Sequence, residues 1–441
     1  MNYIPNILFA IILIAGVGFF TKNVKKLIRN IKLGHDVDVS DNTSQRWKNM
    51  AMIALGQSKM VVRPVSGFLH IIVYLGFIII NIEVVEIILD GLFSGILYDD
   101  HRLFMSILPA PLYGFLIGTF EILGLLVFVA VIVFWIRRNI IRIKRFWSSE
   151  MTSWPKNDAN NILYIEMVLM LLFLLMNATD LRFQAMDNGN VISQYLTPLF
   201  SGFSESTIHY IERGAWWLHI IGILGFLNYL YFSKHLHILL AFPNTYFGKV
   251  KPKGEFDNLE AVTNEVKMMM DPNVDPFAAQ PENTDAPAKF GASDVQDLSW
   301  VQLLNAYTCT ECGRCTSECP ANRTGKKLSP RKIMMDTRDR LEEVGRNIDT
   351  NNGVFKEDGK QLLDDYITRE ELWACTTCNA CVEACPVSID PMSIIMDMRR
   401  YLVMEQSAAP LELNNMMANI ENNGAPWPYN QMDRLNWKNE N

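Results

Sequence analysis

The first 308 residues of the chain contain no cysteine, so no disulfide can brace them. Glycine-rich signatures are missing too. There is no dinucleotide fingerprint after a strand, no phosphate loop and no flavin signature, which leaves no motif to hold a nucleotide. The formal net charge is −7, and no basic tract offers a nucleic-acid surface. Positive charge is also absent ahead of the first apolar run. Met1 to Pro5 carries none, and Lys22, Lys25, Lys26 and Arg29 follow the run instead. A cleaved signal peptide has the opposite order. The expectation is an uncleaved span with its N-terminus outside.

What is present divides sharply. Up to about residue 240 Ile, Leu, Phe, Val and Met dominate, and from about Lys249 the chain turns polar, acidic and rich in Asn, Asp and Pro. Five apolar stretches, 4–20, 65–89, 109–136, 162–176 and 215–232, are long enough to cross a bilayer as helices. Segments 22–63 and 137–156 hold fifteen Lys and Arg residues, whereas 90–112 and 179–213 hold three, Arg102, Arg182 and Arg213. Short basic loops stay in the cytoplasm. The reading is a multi-pass protein of the cytoplasmic membrane, with everything after Lys234 in the cytoplasm.

All eight cysteines fall into two copies of one pattern: Cys309, Cys312, Cys315, Cys319-Pro320 and Cys375, Cys378, Cys381, Cys385-Pro386. Cys-x-x-Cys-x-x-Cys puts three thiolates on one tight loop and leaves backbone N–H groups to bond cluster sulfurs. Disulfide frameworks rarely repeat a tight spacing, and they belong to oxidising compartments. Zinc needs only four ligands per site, so a third cysteine at fixed spacing plus Cys-Pro, twice over, favours two [4Fe–4S] clusters. No cysteine of either set is missing, which disfavours [3Fe–4S]. In two-cluster ferredoxins the fourth cysteine ligates the other cluster. The expected sets are therefore Cys309, Cys312, Cys315 with Cys385, and Cys375, Cys378, Cys381 with Cys319.

Local signals place these motifs between helices. Asp297 or Ser299 can cap a helix to about Tyr307. Ser329-Pro330 opens one running to about Val344 and stopping at Gly345. Thr368 and Glu371 form a capping box ahead of Cys375, and Asp390-Pro391 opens a helix through about Met404. The proline-broken segment between Lys249 and about Ala292 reads as a tether, with a short helix at Glu260–Met270.

Histidine completes the inventory: His35, His70, His101, His209, His219, His235 and His237. Ionisable groups inside a bilayer are costly and tend to be functional. His70 lies in the second apolar stretch. His219 lies near the outer end of the fifth, and His235 and His237 close it. His219 and His237 stand 18 residues apart, the latter within Ser233-Lys234-His235-Leu236-His237-Ile238. This pattern resembles the cytochrome b subunit of respiratory nitrate reductase and its relatives in membrane heterodisulfide reductases. The resemblance implies five spans, an outside N-terminus and haem ligands on spans two and five. His70 matches one of the two ligands of span two, but the position ten residues on is Ile80, which cannot bind iron. A bis-imidazole haem takes one histidine from each of two facing helices. One haem b held by His70 and His237 is the expected count. His219 is left to pair with His70, to touch a quinone or to hydrogen-bond within the bundle. His235 reads as an interfacial, snorkelling residue, and His35, His101 and His209 as solvated loop residues.

The first cysteines of the two motifs are 66 residues apart, with helical sequence between them. This resembles the α-helical ferredoxin of the heterodisulfide reductase small subunit and of fumarate and succinate dehydrogenase iron–sulfur subunits. The tail from Gly424-Ala425-Pro426-Trp427 to Trp437 is similar to a segment of that family and reads as a packing or a partner-docking element.

The expected architecture is all-α. A five-helix transmembrane bundle (1–240) and a polar linker (241–296) precede a cytoplasmic α-helical ferredoxin domain with two [4Fe–4S] clusters (297–405) and a C-terminal tail (406–441). The expected role is an electron-transfer subunit between a cytoplasmic redox partner and the quinone pool, with no catalytic residue of its own. In the heterodisulfide-reductase-like complexes that the chain resembles, a cysteine-rich CCG domain carries the catalytic or flavoprotein-facing cluster. No cysteine is left over for one here, and the resemblance implies a CCG-domain iron–sulfur protein, a flavoprotein or both as partners. A self-contained thiol/disulfide oxidoreductase and a non-catalytic redox-sensing anchor are the alternatives.

Overall fold

The computed structural model describes residues 3–98, 102–186, 189–252, 254–272 and 289–439. His101 and residues 253 and 273–288 of the expected tether lie outside them. The described chain is helical, with isolated bridges and no strand. Four long helices are apolar enough to cross a membrane: α1 (Ile4–Ile31), α2 (Pro64–Phe93), α3 (Ala110–Asn139) and α4 (Ser153–Thr179). A fifth, α5 (Glu205–Leu230), bends by 92° into the segment from Lys234 to Phe247. Proline sits in the first turn of α1, α2 and α3, where its missing N–H would be unpaired in any case. The Ser204 hydroxyl caps α5 by accepting from Thr207 N.

The five helices close into a ring. α2 packs on α3, α3 on α4, α4 on α5, and α1 completes the circle against α5 and α2. Phe9, Ile80, Tyr113, Ile117, Phe120, Phe173, Trp216 and Ile220 fill the interior. α1 is the most exposed, with Ile4, Ile7, Ile11 and Ile14 facing outward. Its 28 residues span about 42 Å. That is longer than a hydrocarbon core of about 30 Å. The surplus at the C-terminal end carries Lys26 and Arg29 out to the cysteine-bearing half, where both pair with Asp349.

After the bend, α6 (His237–Phe247) runs across the end of the ring and packs on α7 (Trp300–Thr308). A Phe247–Trp300 edge contact at 4.9 Å and Asn244 Nδ2 donating to the Val387 carbonyl at 2.8 Å hold it there. Ser299, not Asp297, caps α7, and Asp297 closes a separate capping box with Asp294. The expected linker 241–296 is therefore folded at both ends: α6 is helical, and Ala292 and Val295 are fully buried. Leu27, Leu230 and Leu236 of the apolar half join one core with Leu303, Ile333, Leu341 and Met398. The two halves meet as a packed interface.

The helix opened by Ser329 does not stop at Gly345. α8 (Arg314–Glu318) comes first, and α9 (Pro330–Thr350) then runs through Gly345. Glycine is needed there because α1 crosses so closely that a Cβ would lie 2.4 Å from Asn30 Nδ2. The tail forms a helix at Leu411–Asn423 and a 3₁₀ segment at Gln431–Lys438, neither with a buried residue.

Candidate metal centres

Two short helices follow the cysteine loops, α8 and its counterpart α10 (Ala380–Ala384), and they pack against each other. The loops share one backbone. Glu311 and Gly313 of the first have positive φ (54° and 70°), and so do Thr377 and Asn379 of the second (53° and 61°). Such left-handed residues turn successive N–H groups into a concave nest that suits an anion. Thr377 N donates to Cys375 Sγ at 3.4 Å, and Ile389 N to Cys385 Sγ at 3.3 Å. The sequence offered only a partial signal for this. Gly313 and Asn379 favour left-handed backbone, whereas Glu311 and Thr377 do not.

None of the eight cysteines is in a disulfide. Burial first, then repulsion from neighbouring thiols, holds Cys315 well above the ordinary thiol range, and the thiols it senses are Cys312, Cys309, Cys385 and Cys381. Burial pushes Cys309 up to about 12 and Cys385 up to about 11, the latter with Cys312 as the next cause. On the other side, burial raises Cys375 and Cys381, and Cys319 is among the thiols that repel both. The fourth cysteine of each motif is thus brought beside the other motif. Buried thiols ionise only against strong positive charge, so this donor set fits a multi-iron cluster. Among the described residues no three His, Cys, Asp or Glu side chains converge on a single ion position.

Cations surround both groups. Arg314 is placed near Cys312 and Cys385, Arg338 near Cys309, and Arg399 near Cys375. Lys59 and Arg145 reach Cys385 and Cys312 from the loops between apolar helices. The first motif is also bonded to those loops. Arg314 Nη1 donates to the Lys59 carbonyl at 3.0 Å, Arg63 pairs with Glu318 at 2.8 Å, and fully buried Arg331 pairs with Glu150 at 2.6 Å. Glu311, between Cys309 and Cys312, is buried. Burial alone would raise its carboxyl, but Lys234 and Arg338 hold it below the usual range. Of the second motif, Cys378 is exposed.

Beneath the first motif, His70 of α2 and His237 at the start of α6 approach with ring centroids 6.5 Å apart. Two imidazoles on opposite faces of one iron would stand roughly 6 Å apart, from metal–nitrogen bonds of about 2 Å plus half a ring each. His237 Nδ1 donates to the Lys234 carbonyl at 3.0 Å, which leaves Nε2 as its ligand atom. His70 Nδ1 is buried, with no hydrogen-bond partner among the described residues. The pair fits a haem, and Arg314 lies within electrostatic reach of His70.

Two of the other histidines, His235 and His209, depart from expectation. His219 lies within α5, its ring 6.2 Å from Phe173 and its Nδ1 buried without a hydrogen-bond partner among the described residues. Ile80 is packed in the core. His235 does not snorkel: its Nε2 is 3.6 Å from Glu166 Oε1, and its ring meets Phe226 and His237. The break in the helix turns it inward. His209 lies in α5, not in a loop. His35 is an exposed loop residue, its Nδ1 bonded to the Asp297 carbonyl at 3.1 Å.

The family described as a 4Fe–4S dicluster domain matches residues 308–389. Together with that match, the fold and the paired cysteine loops define an iron–sulfur protein whose helices are long and apolar enough to cross a membrane. Among known proteins, the chain is 28% identical to a probable iron–sulfur-binding oxidoreductase, FadF, of Bacillus subtilis, over 98% of this chain and 61% of that protein. It is 23% identical to the EtfAB:quinone oxidoreductase of Syntrophomonas wolfei, over 92% of this chain and 55% of that protein. A probable membrane-anchored ferredoxin of Chromohalobacter salexigens is 34% identical over 35% of this chain and 25% of its own length. Shorter matches are subunits of heterodisulfide reductases. The chain spans about three-fifths of the first relative and just over half of the second. No solved structure matches it. The chain carries a 4Fe–4S dicluster domain and is similar to iron–sulfur oxidoreductases, subunits of heterodisulfide reductases among them.

Proposed function

We propose that this chain is the membrane electron-transfer subunit of a quinone-linked oxidoreductase. Electrons pass between a cytoplasmic redox partner and the quinone pool. One [4Fe–4S] cluster is held by Cys375, Cys378, Cys381 and Cys319, and the other by Cys309, Cys312, Cys315 and Cys385. A b-type haem is bound by His70 and His237, as in the nitrate-reductase type of cytochrome b domain. The broken helix α5–α6 counts as a fifth span, and the basic loops and the cluster domain lie in the cytoplasm. The observation that carries this reading is the stacking order. Exposed Cys378 faces water, the first motif is bonded to the basic loops, and His70 and His237 approach directly beneath it. The relative named for quinone and EtfAB supports a quinone at one end and a flavoprotein at the other.

The protein's own residues position and insulate. Arg314, Arg338 and Arg399 offset negative charge on the clusters, and the nests of the two loops donate N–H groups to their sulfurs. The haem supplies a one-electron step in the apolar layer. The test is composition and optics on anaerobically purified protein. About eight irons and eight sulfides per chain are expected for two four-iron clusters. A b-type α-band is expected on reduction. Zinc in place of iron, or no α-band, refutes the respective half of the proposal.

A further inference from the structure

The end of the bundle farthest from the cysteines holds a cavity of about 820 Å³, whose walls include Glu83, Glu86, Asp90, Arg102, Glu212 and Trp216. That is the size of a small-molecule site. Most of its carboxylates are satisfied. Glu86 accepts from Phe104 N at 2.7 Å, Asp90 accepts from the Tyr98 hydroxyl at 2.6 Å and from Leu103 N at 2.9 Å, and Glu212 pairs with Arg213. Glu83 differs. It is 2% exposed, and neither of its oxygens has a hydrogen-bond partner among the described residues. Its nearest cation, Arg102 Nη1 at 3.9 Å, is likewise without a hydrogen bond, because Arg102 is engaged through Nη2 with Asn177 at 2.8 Å and Asp180 at 3.3 Å.

A buried carboxylate without donors costs several kcal/mol unless it holds a proton or meets a ligand. Phe9, Trp216 and Trp217 line the same cavity as an aromatic wall, with Phe9 5.6 Å from Trp216 and 6.0 Å from Trp217. A flat apolar ring fits such a wall, and ring oxygens that gain and lose protons fit Glu83 and Arg102. The cavity at the junction of the two halves, about 560 Å³, offers less. Its Lys234 and Arg338 are paired with Glu311, and Tyr307 with Glu342.

We infer that the distal cavity binds a quinone head group and that Glu83 carries protons to and from its oxygens. This rests on the quinone reading above and adds the site and the side of the membrane. In the reducing direction, two electrons arrive singly from the clusters and two protons come from water at the distal end. Glu83 gives its proton to one carbonyl oxygen, is recharged by way of Glu86, Asp90 and Glu212, and gives a second. Both C=O groups become C–OH. Quinol oxidation is the reverse and releases two protons to the same water. Arg102 polarises the oxygen that is waiting. His219 lies about one helical turn beyond Trp216 on the same face of α5.

The test uses the full chain in lipid nanodiscs containing a prenylated naphthoquinone, with the clusters reduced beforehand by dithionite. Quinone-driven return of cluster absorbance should slow about 10²-fold in Glu83→Gln, the contribution typical of a positioned proton-transfer group. Glu83→Asp should recover part of the rate, and dithionite reduction should be unchanged in both. A photoreactive azidonaphthoquinone should label peptides carrying Phe9, Met105 or Trp216. Labelling of peptides carrying Trp154 and Tyr231, or an unslowed Glu83→Gln, overturns the placement and leaves the quinone reading standing. A wild type that dithionite reduces but quinone cannot reoxidise overturns both.

Discussion

Replacing Gly345 with alanine sets two effects of opposite sign against each other. In an isolated helix Gly→Ala stabilises by about 1 kcal/mol. In α9, however, the new Cβ would fall 2.4 Å from Nδ2, 2.7 Å from Oδ1 and 2.8 Å from Cγ of Asn30. Asn30 is 2% exposed and donates to the Tyr307 hydroxyl at 2.9 Å, and Arg29 is bonded to both Asn30 and the Gly345 carbonyl. It has no room to yield. Overpacking of this kind costs about 1–3 kcal/mol. Displacing Asn30 from Tyr307 adds about 1 kcal/mol. The net expectation is a loss of about 1–3 kcal/mol, so the helix gain is outweighed. The assay is thermal loss of cluster absorbance in detergent-solubilised full chain, comparing wild type, Gly345→Ala, Asn30→Ala and the double variant. Asn30→Ala removes the obstacle, so the double variant should lose less than the two single changes combined, which is the signature of direct contact. A Gly345→Ala protein melting above the wild type would show that α1 does not touch α9, and with it refute the docking of the two halves.

Cys319→Ser should disturb the EPR signal of the cluster held by Cys375, Cys378 and Cys381, and a loss confined to the other cluster would refute crossed ligation. His70→Ala should abolish the b-type band while cluster EPR persists; if both vanish together, the two halves fold as one unit and separate assignment fails. Asp349, held below its ordinary value of 3.8 by hydrogen bonds from Lys26 and Arg29, stabilises the docked state at and above that value and stops doing so as pH falls through its lowered one. The wild-type advantage over Asp349→Asn in melting temperature should therefore be full near neutrality and shrink below pH 3.8, and an advantage independent of pH would refute the pairing.

Features written in a few neighbouring residues are legible in residue order. The apolar stretches appear as helices, the Thr368–Glu371 box caps the turn before Cys375, and Glu260–Met270 is helical. Local rules misplace what depends on a distant neighbour. Gly345 looks like a helix stop, because nothing nearby announces that α1 crosses there. His235 looks interfacial until the break after α5 turns it toward Glu166. His209 reads as a loop residue because α5 begins ten residues before the apolar run does.

Chemistry and periodicity are properties of the chain itself. Eight thiols at repeated spacing and long apolar runs can be recognised from the sequence, because ligation loops and membrane helices are local solutions to local demands. Tertiary structure alone decided that Cys385 lies beside the first motif, that His70 meets His237, and that Glu83 faces a cavity with no hydrogen-bond partner among the described residues. Each of these is a coincidence in space of residues far apart in sequence. It is produced by how helices close around one another, and no local pattern encodes it.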